Sequence, residues 1–409
     1  MWDTILDRML ARLVSHGRLR VIYPDGTARQ YGAGPDPATT LTIRQPRTVR
    51  ALCLSPDLAL GEGYVDGTIA IDQADLHDAL ALLVRNRTHG GLPAWAGAGA
   101  RWRSRLAGWA TRNTPARARR NVAHHYDLSD DFYRLFLDAD MQYSCAYFTD
   151  PGMPLDQAQE AKKHHIAGKL LLRPGMRVLD IGCGWGGMAL TLARDYGVQV
   201  TGITLSRNQR DTAQARVTAA GLDGRVTIRM ADYRTISGHF DRIVSVGMLE
   251  HVGPAHYRTF FRRLRALLAE DGVALVHTIG FSEPPHPTSD WILRNIFPGG
   301  HIPSMSQLSP AYERAQLWLT DVEVLRGHYA LTCQHWRARF EAALPEVRRM
   351  YDDRFVRMWR YYLVACQAAF EEQWQGVFQL QLARRQDAVP ATRDYLYGAD
   401  RNAYLHAAQ

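Results

Sequence analysis

The residues of this 409-residue chain best placed to do chemistry lie in one run, VLDIGCGWGG, from Val178 to Gly187. A strand-like apolar segment carries Asp180 near its end, and Gly182, Gly184, Gly186 and Gly187 follow. Glycine has no Cβ, so the backbone can turn tightly and approach a ligand before the next helix starts. A lone G-x-G says little. Here it follows a strand and opens a helix in an alternating series, the context such a motif requires. The packing G-C-G-W-G-G differs from the G-x-G-x-x-G of dinucleotide sites, and an acidic residue precedes it on the strand. A purely structural turn is the weaker account of these glycines.

Composition limits what can surround that turn. Hydrophobic residues make up 46% and charged residues 22%, which excludes a largely disordered or collagenous chain. At roughly 100 to 200 residues per domain the length predicts two or three domains. Lys and Arg number 49 against 41 Asp and Glu, a net charge of +8 with a pI near 9.3, so an anionic partner is expected, either nucleic acid or a membrane surface. Only Lys162, Lys163 and Lys169 are lysines; every other basic residue is Arg. The five cysteines, Cys53, Cys145, Cys183, Cys333 and Cys366, lack the spacing of a zinc site or a disulfide scaffold, which predicts a reducing, cytoplasmic compartment. The amino terminus carries charges throughout and lacks a secretory core. No uncharged apolar run approaches the roughly 18 residues of a membrane span, so contact with a bilayer would be peripheral.

Periodicity supplies the elements that must hold the turn. Residues 1–90 read as a small α+β domain: an amphipathic helix, a hairpin around Pro24-Asp25-Gly26, a strand from Thr40, and a strand at Gly67 to Ile71 between helices. Residues 91–120, rich in Gly, Ala, Arg and Trp, read as a linker, either a segment lying on anionic headgroups or a plain solvated connector. Residues 121–409 alternate helices with apolar strands, the pattern of an α/β, doubly wound, mostly parallel sheet. A Pro/Gly-rich stretch from Phe281 to Ser309 interrupts the rhythm as an insertion or lid, and long aromatic-rich helices follow.

The glycine run resembles motif I of S-adenosylmethionine (SAM) dependent methyltransferases, whose cofactor has no pyrophosphate to cradle. That resemblance implies a seven-stranded class I methyltransferase domain with a helical cap. It places Asp180, Gly182, Gly184 and Gly186 on the cofactor. Where generic members carry an acidic residue for the ribose, this chain has GITLS, so Thr204, Leu205 and the later Gln209 would make those contacts, with Asp232 and Tyr233 of ADYR in the adenine pocket. Further segments sharpen the likeness: HHYDLSDDFYRLFLDADMQYSCAYF, VGMLEHVG, NIFPGGHIPS and HYALTCQHW. Together they resemble the cyclopropane-fatty-acyl-phospholipid synthases, a family that includes the mycolic acid methyltransferases, and LGEGYVDGTIAI is similar to the extra amino-terminal domain of the phospholipid-acting members.

The resemblance implies an enzyme in which a cis double bond of a phospholipid acyl chain takes the SAM methyl group, and loss of a proton then closes a cyclopropane. It also implies a bicarbonate ion as base. On matching positions Cys145 and Ile279 would offer backbone contacts, His277 and Tyr329 would donate hydrogen bonds to the ion, and Glu250 would accept from its hydroxyl. Tyr143 and Ser144 would close over SAM, and Cys366 matches a cysteine once proposed for the family's active site, although covalent chemistry is unnecessary here. His301 stands at the variable position of IFPGGHIPS, where it would bear on substrate or outcome. No metal is implied. A homodimer through the amino-terminal domain is, as is peripheral attachment at the inner face of the membrane. The alternative product is a methylated or methylenated lipid without ring closure. A nucleic-acid-binding role rests on charge alone, with no RNP-like or helix-turn-helix pattern to support it, so no nucleic-acid partner is expected.

Overall fold

The computed structural model describes residues 1–34, 39–72, 75–90 and 128–397. The linker expected at 91–120 lies outside the described residues, as does the start of the HHYDLSDDF segment. The chain packs as two units. One contains the amino-terminal elements together with His286–Pro298 and Tyr329–Gln375; the other contains the rest of the described chain.

In the first unit, the helix Trp2–Leu13 buries Leu6 and Met9, one helical turn apart. The hairpin pairs β1 (Leu19–Ile22) with β2 (Ala28–Tyr31) through a turn in which Gly26 takes a φ of +84°. β3 (Thr39–Ile43) runs parallel to β1 and antiparallel to β4 (Ile69–Ile71), giving the order β2-β1-β3-β4. The helices Pro46–Leu54 and Pro56–Val65 both begin on proline, whose fixed φ suits the first helical position. The stretch expected as an irregular insertion carries a helix, Asp290–Asn295, and its fully buried Trp291 fills the space left by the missing side chain of Gly61. The long helix Asp353–Glu372 packs on Pro56–Val65 and on Leu76–Gly90. Most of the late aromatics are ordinary core: Trp336, Phe340 and Trp359 are completely buried.

The second unit holds a seven-stranded sheet, β10-β11-β9-β8-β5-β6-β7. Its strands are β5 (Arg177–Ile181), β6 (Gln199–Thr204), β7 (Val226–Met230), β8 (Phe240–Val246), β9 (Leu268–Phe281), β10 (Trp318–Leu325) and β11 (Gln375–Ala383). β7, β6, β5, β8 and β9 are parallel neighbours, and β10 is antiparallel to β11. Side chains alternate along each strand, so Ile243 faces one apolar layer with Phe260, Leu264 and Leu308, and Val244 faces the other with Ile166, Leu192 and Val217. Helices therefore cover both faces, as a doubly wound sheet requires. One boundary differs from the sequence expectation. The helix read through Gly272 stops at Leu267, because Leu268 is already paired with Phe240 in the sheet.

A Cβ on Gly61 would lie 2.4 Å from Trp291 Cδ1, whereas one on Gly224 meets nothing within 4 Å. Gly61→Ala is expected to lower unfolding stability by about 2 kcal/mol and Gly224→Ala to leave it within about 0.5 kcal/mol, as read by urea denaturation of the whole chain.

Candidate active site

β5 and β8 are adjacent, and the chain leaves them toward opposite sides of the sheet, so their carboxyl ends open the crevice in which doubly wound sheets hold ligands. The glycine run begins there. Gly182, Gly184 and Gly186 take φ values of +86°, +54° and +85°, and the helix Gly187–Tyr196 starts at once. Gly187 is needed for a different reason. A Cβ there would fall 2.2 Å from Asp140 Oδ2 and 2.3 Å from Gln142 Nε2, so the segment around Asp140, which precedes β5, lies directly on the turn.

That segment is held by charges kept out of water. Asp138 accepts from the backbone N–H groups of Asp140 and Gln142 at 3.0 and 2.8 Å. Lys163 donates to Asp140 at 2.8 Å, and Arg216 pairs with the same carboxylate. Burial pushes Asp140 up, but these two cations outweigh it and hold the group ionised below its usual range. Lys162 donates to Gln142 Oε1 at 2.6 Å and to Ser144 Oγ at 2.9 Å; its burial brings its pKa down to about 8. Asp130 accepts from Trp185 Nε1 in the glycine turn (2.8 Å) and from Asn208 (2.6 Å) and Thr212 (2.5 Å) beyond β6, which stitches the cap to both. Tyr143 meets Tyr133 edge-on at 5.3 Å.

Asp180 is buried, its Oδ2 has no hydrogen-bond partner, and burial raises its pKa to about 7, with Lys162 opposing. An unanswered buried oxygen beside a turn that only glycine can make fits a ligand carrying donors. After β6, Thr204 Oγ1 donates to Gln209 Oε1 at 2.8 Å and Ser206 caps the helix Arg207–Ala219, while Leu205 is half-buried. Asp232 accepts bidentately from Arg234, at 2.8 and 2.6 Å, so its carboxylate is already neutralised by a neighbour. Tyr233 stands edge-on to Phe260, and burial lifts its phenol to about 12.

A second cluster follows β8. Gly247 turns with a φ of +63°, with Ser144 as its nearest side chain, and the next turn, Leu249–His251, presents Glu250. Its Oε1 accepts from the Ile279 N–H at 2.6 Å, and the His301 N–H donates to its carbonyl at 2.8 Å. The Ile279 N–H is thus spent on Glu250, which it aims. Oε2 is buried without a partner, and burial lifts the carboxyl to about 7. The neighbouring His251 is kept neutral by burial, its pKa brought down to about 4. His277, two positions before Ile279 on the same face of β9, is buried, and that burial keeps its ring neutral. Cys145 is buried with its Sγ on the Ala146 carbonyl at 3.3 Å. Within this unit, then, Tyr143, Ser144, Asp180 and the glycines form one group, and Glu250, His277 and Ile279 another.

Tyr329 and Cys366 belong to the first unit. Tyr329 stacks on Phe370 at 4.4 Å, and Cys366 is half-buried on the helix Asp353–Glu372, where burial pushes its thiol up to about 12 and keeps it protonated. Sequence reasoning did not find Asp130, Asp140, Tyr257 or the lysine network. The available signal was the confinement of all three lysines to one helix. Tyr257 carries a buried hydroxyl without a hydrogen-bond partner, and Glu250 helps burial raise its pKa.

A family model described as mycolic acid cyclopropane synthetase matches residues 113–380, and one described only as a domain of unknown function matches residues 5–89. The chain is 40% identical to the cyclopropane-fatty-acyl-phospholipid synthase of Escherichia coli over 83% of its own length and 87% of that protein. It is 35% identical to a probable fatty acid methyltransferase of Pseudomonas putida over 93% and 97%. A mycolic acid cyclopropane synthase solved with SAH and CTAB superposes with a TM-score of 0.62 at 36% identity, covering 64% of this chain and 97% of that one.

Glu250 is raised in the folded state, so its contribution to stability is present below the unfolded carboxyl value and is lost as pH rises through about 7. Glu250→Gln removes that loss. The ligand-free variant is expected to be about 2 kcal/mol more stable than wild type at pH 8 and to lose this advantage at pH 5, as read by denaturant unfolding at both pH values.

Proposed function

The chain belongs to the mycolic acid cyclopropane synthetase family and is a SAM-dependent methyltransferase, and from that premise we propose that it cyclopropanates a cis double bond in a phospholipid acyl chain. The observation that carries the reading is Glu250, a buried carboxylate with one oxygen fixed by the Ile279 N–H and the other unanswered, on the same unit as a neutral buried His277.

SAM, when bound, supplies an electrophilic methyl group on a sulfonium. Asp180 would accept from its polar groups, Gly182, Gly184 and Gly186 let it approach the backbone, and Tyr143 and Ser144 would cover it. Thr204, Leu205 and Gln209 would line its ribose, with Asp232 and Tyr233 at its base. The double bond is a poor nucleophile that no enzymic base can activate, so the protein's part is to orient it and keep water out. A bicarbonate ion, held by Glu250, His277 and Cys145, would supply the oxygen that removes a proton from the transferred methyl, with the Ile279 N–H acting through Glu250. Glu250 would accept from that ion's hydroxyl through Oε2, and a neutral His277 would donate to it. Ring closure follows on the substrate.

A second reading, methylation or methylenation without a ring, is favoured by the name of the Pseudomonas relative and by His301. That side chain reaches Gln307 Oε1 at 3.1 Å while the His301 backbone N–H donates to the Glu250 carbonyl, so a residue at a variable position sits against the one that would orient the ion.

No helix among the described residues is long and apolar enough to cross a membrane. The +8 charge and the Arg/Trp-rich residues 91–120 support peripheral attachment to an anionic membrane surface, and the family resemblance is what supports the cytoplasmic face and a homodimer through the amino-terminal domain.

Expression in a bacterium lacking its own synthase is expected to yield fatty acids heavier by one CH2 that resist ozonolysis. Chains of the same mass that ozone still cleaves would establish the second reading, and unchanged fatty acids from a folded, SAM-binding protein would overturn both. Glu250→Gln is expected to bind SAM within about threefold of wild type while losing ring formation by at least about 100-fold in a direct assay. In flotation, the chain is expected to rise with anionic vesicles at low salt and to be released as ionic strength increases.

A further inference from the structure

We propose that Gln379 and Lys169 are positioning residues that fix the tautomer of His277, so that an Nε2–H donor, and not a lone pair, is presented to the reacting centre. The inference rests on the reading of His277 as an anion donor given above.

The argument starts from composition. Of 49 basic residues three are lysine, leaving 49 − 3 = 46 arginines, and all three lysines are at most 3% exposed. A chain that uses Arg everywhere else keeps Lys where a compact, donor-only head must fit inside. Lys169 Nζ donates to the Glu323 carboxylate and, at 2.8 Å, to Gln379 Oε1. An ammonium has no lone pair to offer, so the amide oxygen of Gln379 must face it, and the NH2 must face the other way. On that side lies His277 Nδ1, 3.2 Å from Gln379 Nε2. The NH2 can only donate, so Nδ1 must carry a lone pair, and a neutral ring then holds its proton on Nε2. Among the described residues Nε2 has no hydrogen-bond partner, so the series ends on an N–H that none of them takes up.

The series is firmly anchored. His165 Nε2 meets Glu323 at 2.5 Å, and Gln381, next on the same face of β11, donates to the Lys169 carbonyl at 2.6 Å. Gln379 and Gln381 are both completely buried, while the alternate residues Phe378, Leu380 and Leu382 enter the apolar layer opposite. A buried ionic series of this kind costs free energy that apolar residues of similar volume would not. Setting the ring's proton is a return that packing alone does not require.

The test uses the full chain labelled with 15N in its histidine rings, with the His277 signals assigned by their loss in His277→Gln. Wild type is expected to show His277 with Nδ1 unprotonated and Nε2 protonated. Gln379→Glu replaces the donor with an acceptor and is expected to move the proton to Nδ1, with ring formation down by at least about 100-fold and SAM affinity within about threefold. Gln379→Met, which neither donates nor accepts strongly, is expected to give a mixture of tautomers and an intermediate loss; it carries the test if the Glu variant fails to fold. A wild-type ring protonated on Nδ1, or a ring whose state neither variant changes, overturns the proposal. If the tautomer moves and ring formation does not, the relay stands and the assignment of His277 as an anion donor falls.

Discussion

A carboxylate kept out of water with one oxygen left unanswered is the constraint on which the site depends. Glu250 can be held that way only because the Ile279 N–H fixes its first oxygen and the His301 N–H fixes the turn that carries it. Asp180 repeats the arrangement at the end of the neighbouring strand, with an unpartnered oxygen and a pKa raised by burial to about 7. Both groups oppose folding near neutral pH. They are tolerated because the sheet beneath them is packed on both faces by fully buried aliphatic and aromatic side chains.

The same economy explains the lysines. A low-dielectric site needs positive charge close at hand, but each buried ammonium must meet several acceptors or neutralise itself. Lys162 meets Gln142 and Ser144, Lys163 meets Asp140 and Glu160, and Lys169 meets Glu323 and Gln379. One helix, Leu155–Lys169, therefore ties the cap over the glycine turn at its middle and reaches the β10–β11 edge of the sheet at its end. Cap and base cluster are organised by the same element, although their residues are far apart in the chain.

The fold was legible because its signals are local. The alternation of strands and helices, the glycine run after an acidic strand and the amino-terminal hairpin are patterns of a few residues, and each stands where the sequence placed it. The boundary at Leu267 was not legible, since it is set by the pairing of Leu268 with Phe240, nearly thirty residues away. Nor was the helix at Asp290–Asn295, whose Pro/Gly-rich surroundings hide a tryptophan that packs against Gly61. Of the proposed site residues, Asp180 was read from the glycine motif and Glu250, His277 and Ile279 from the family resemblance, but that the Ile279 N–H goes to Glu250 was not legible. Asp232 occupies its expected strand end, but its carboxylate is bound to Arg234 two residues later.

Sequence by itself therefore determined the class of fold, the ligand turn and the chemical types present at the site, because each is written in neighbouring residues. Tertiary structure alone decided which polar groups answer one another. Lys169 and Glu323 are 154 positions apart, Gln379 and His277 102 apart, and Glu250 and Ile279 29 apart. Those partnerships depend on strand register, and a one-residue slip would turn His277 on β9, Glu323 on β10 or Gln379 on β11 to the opposite face.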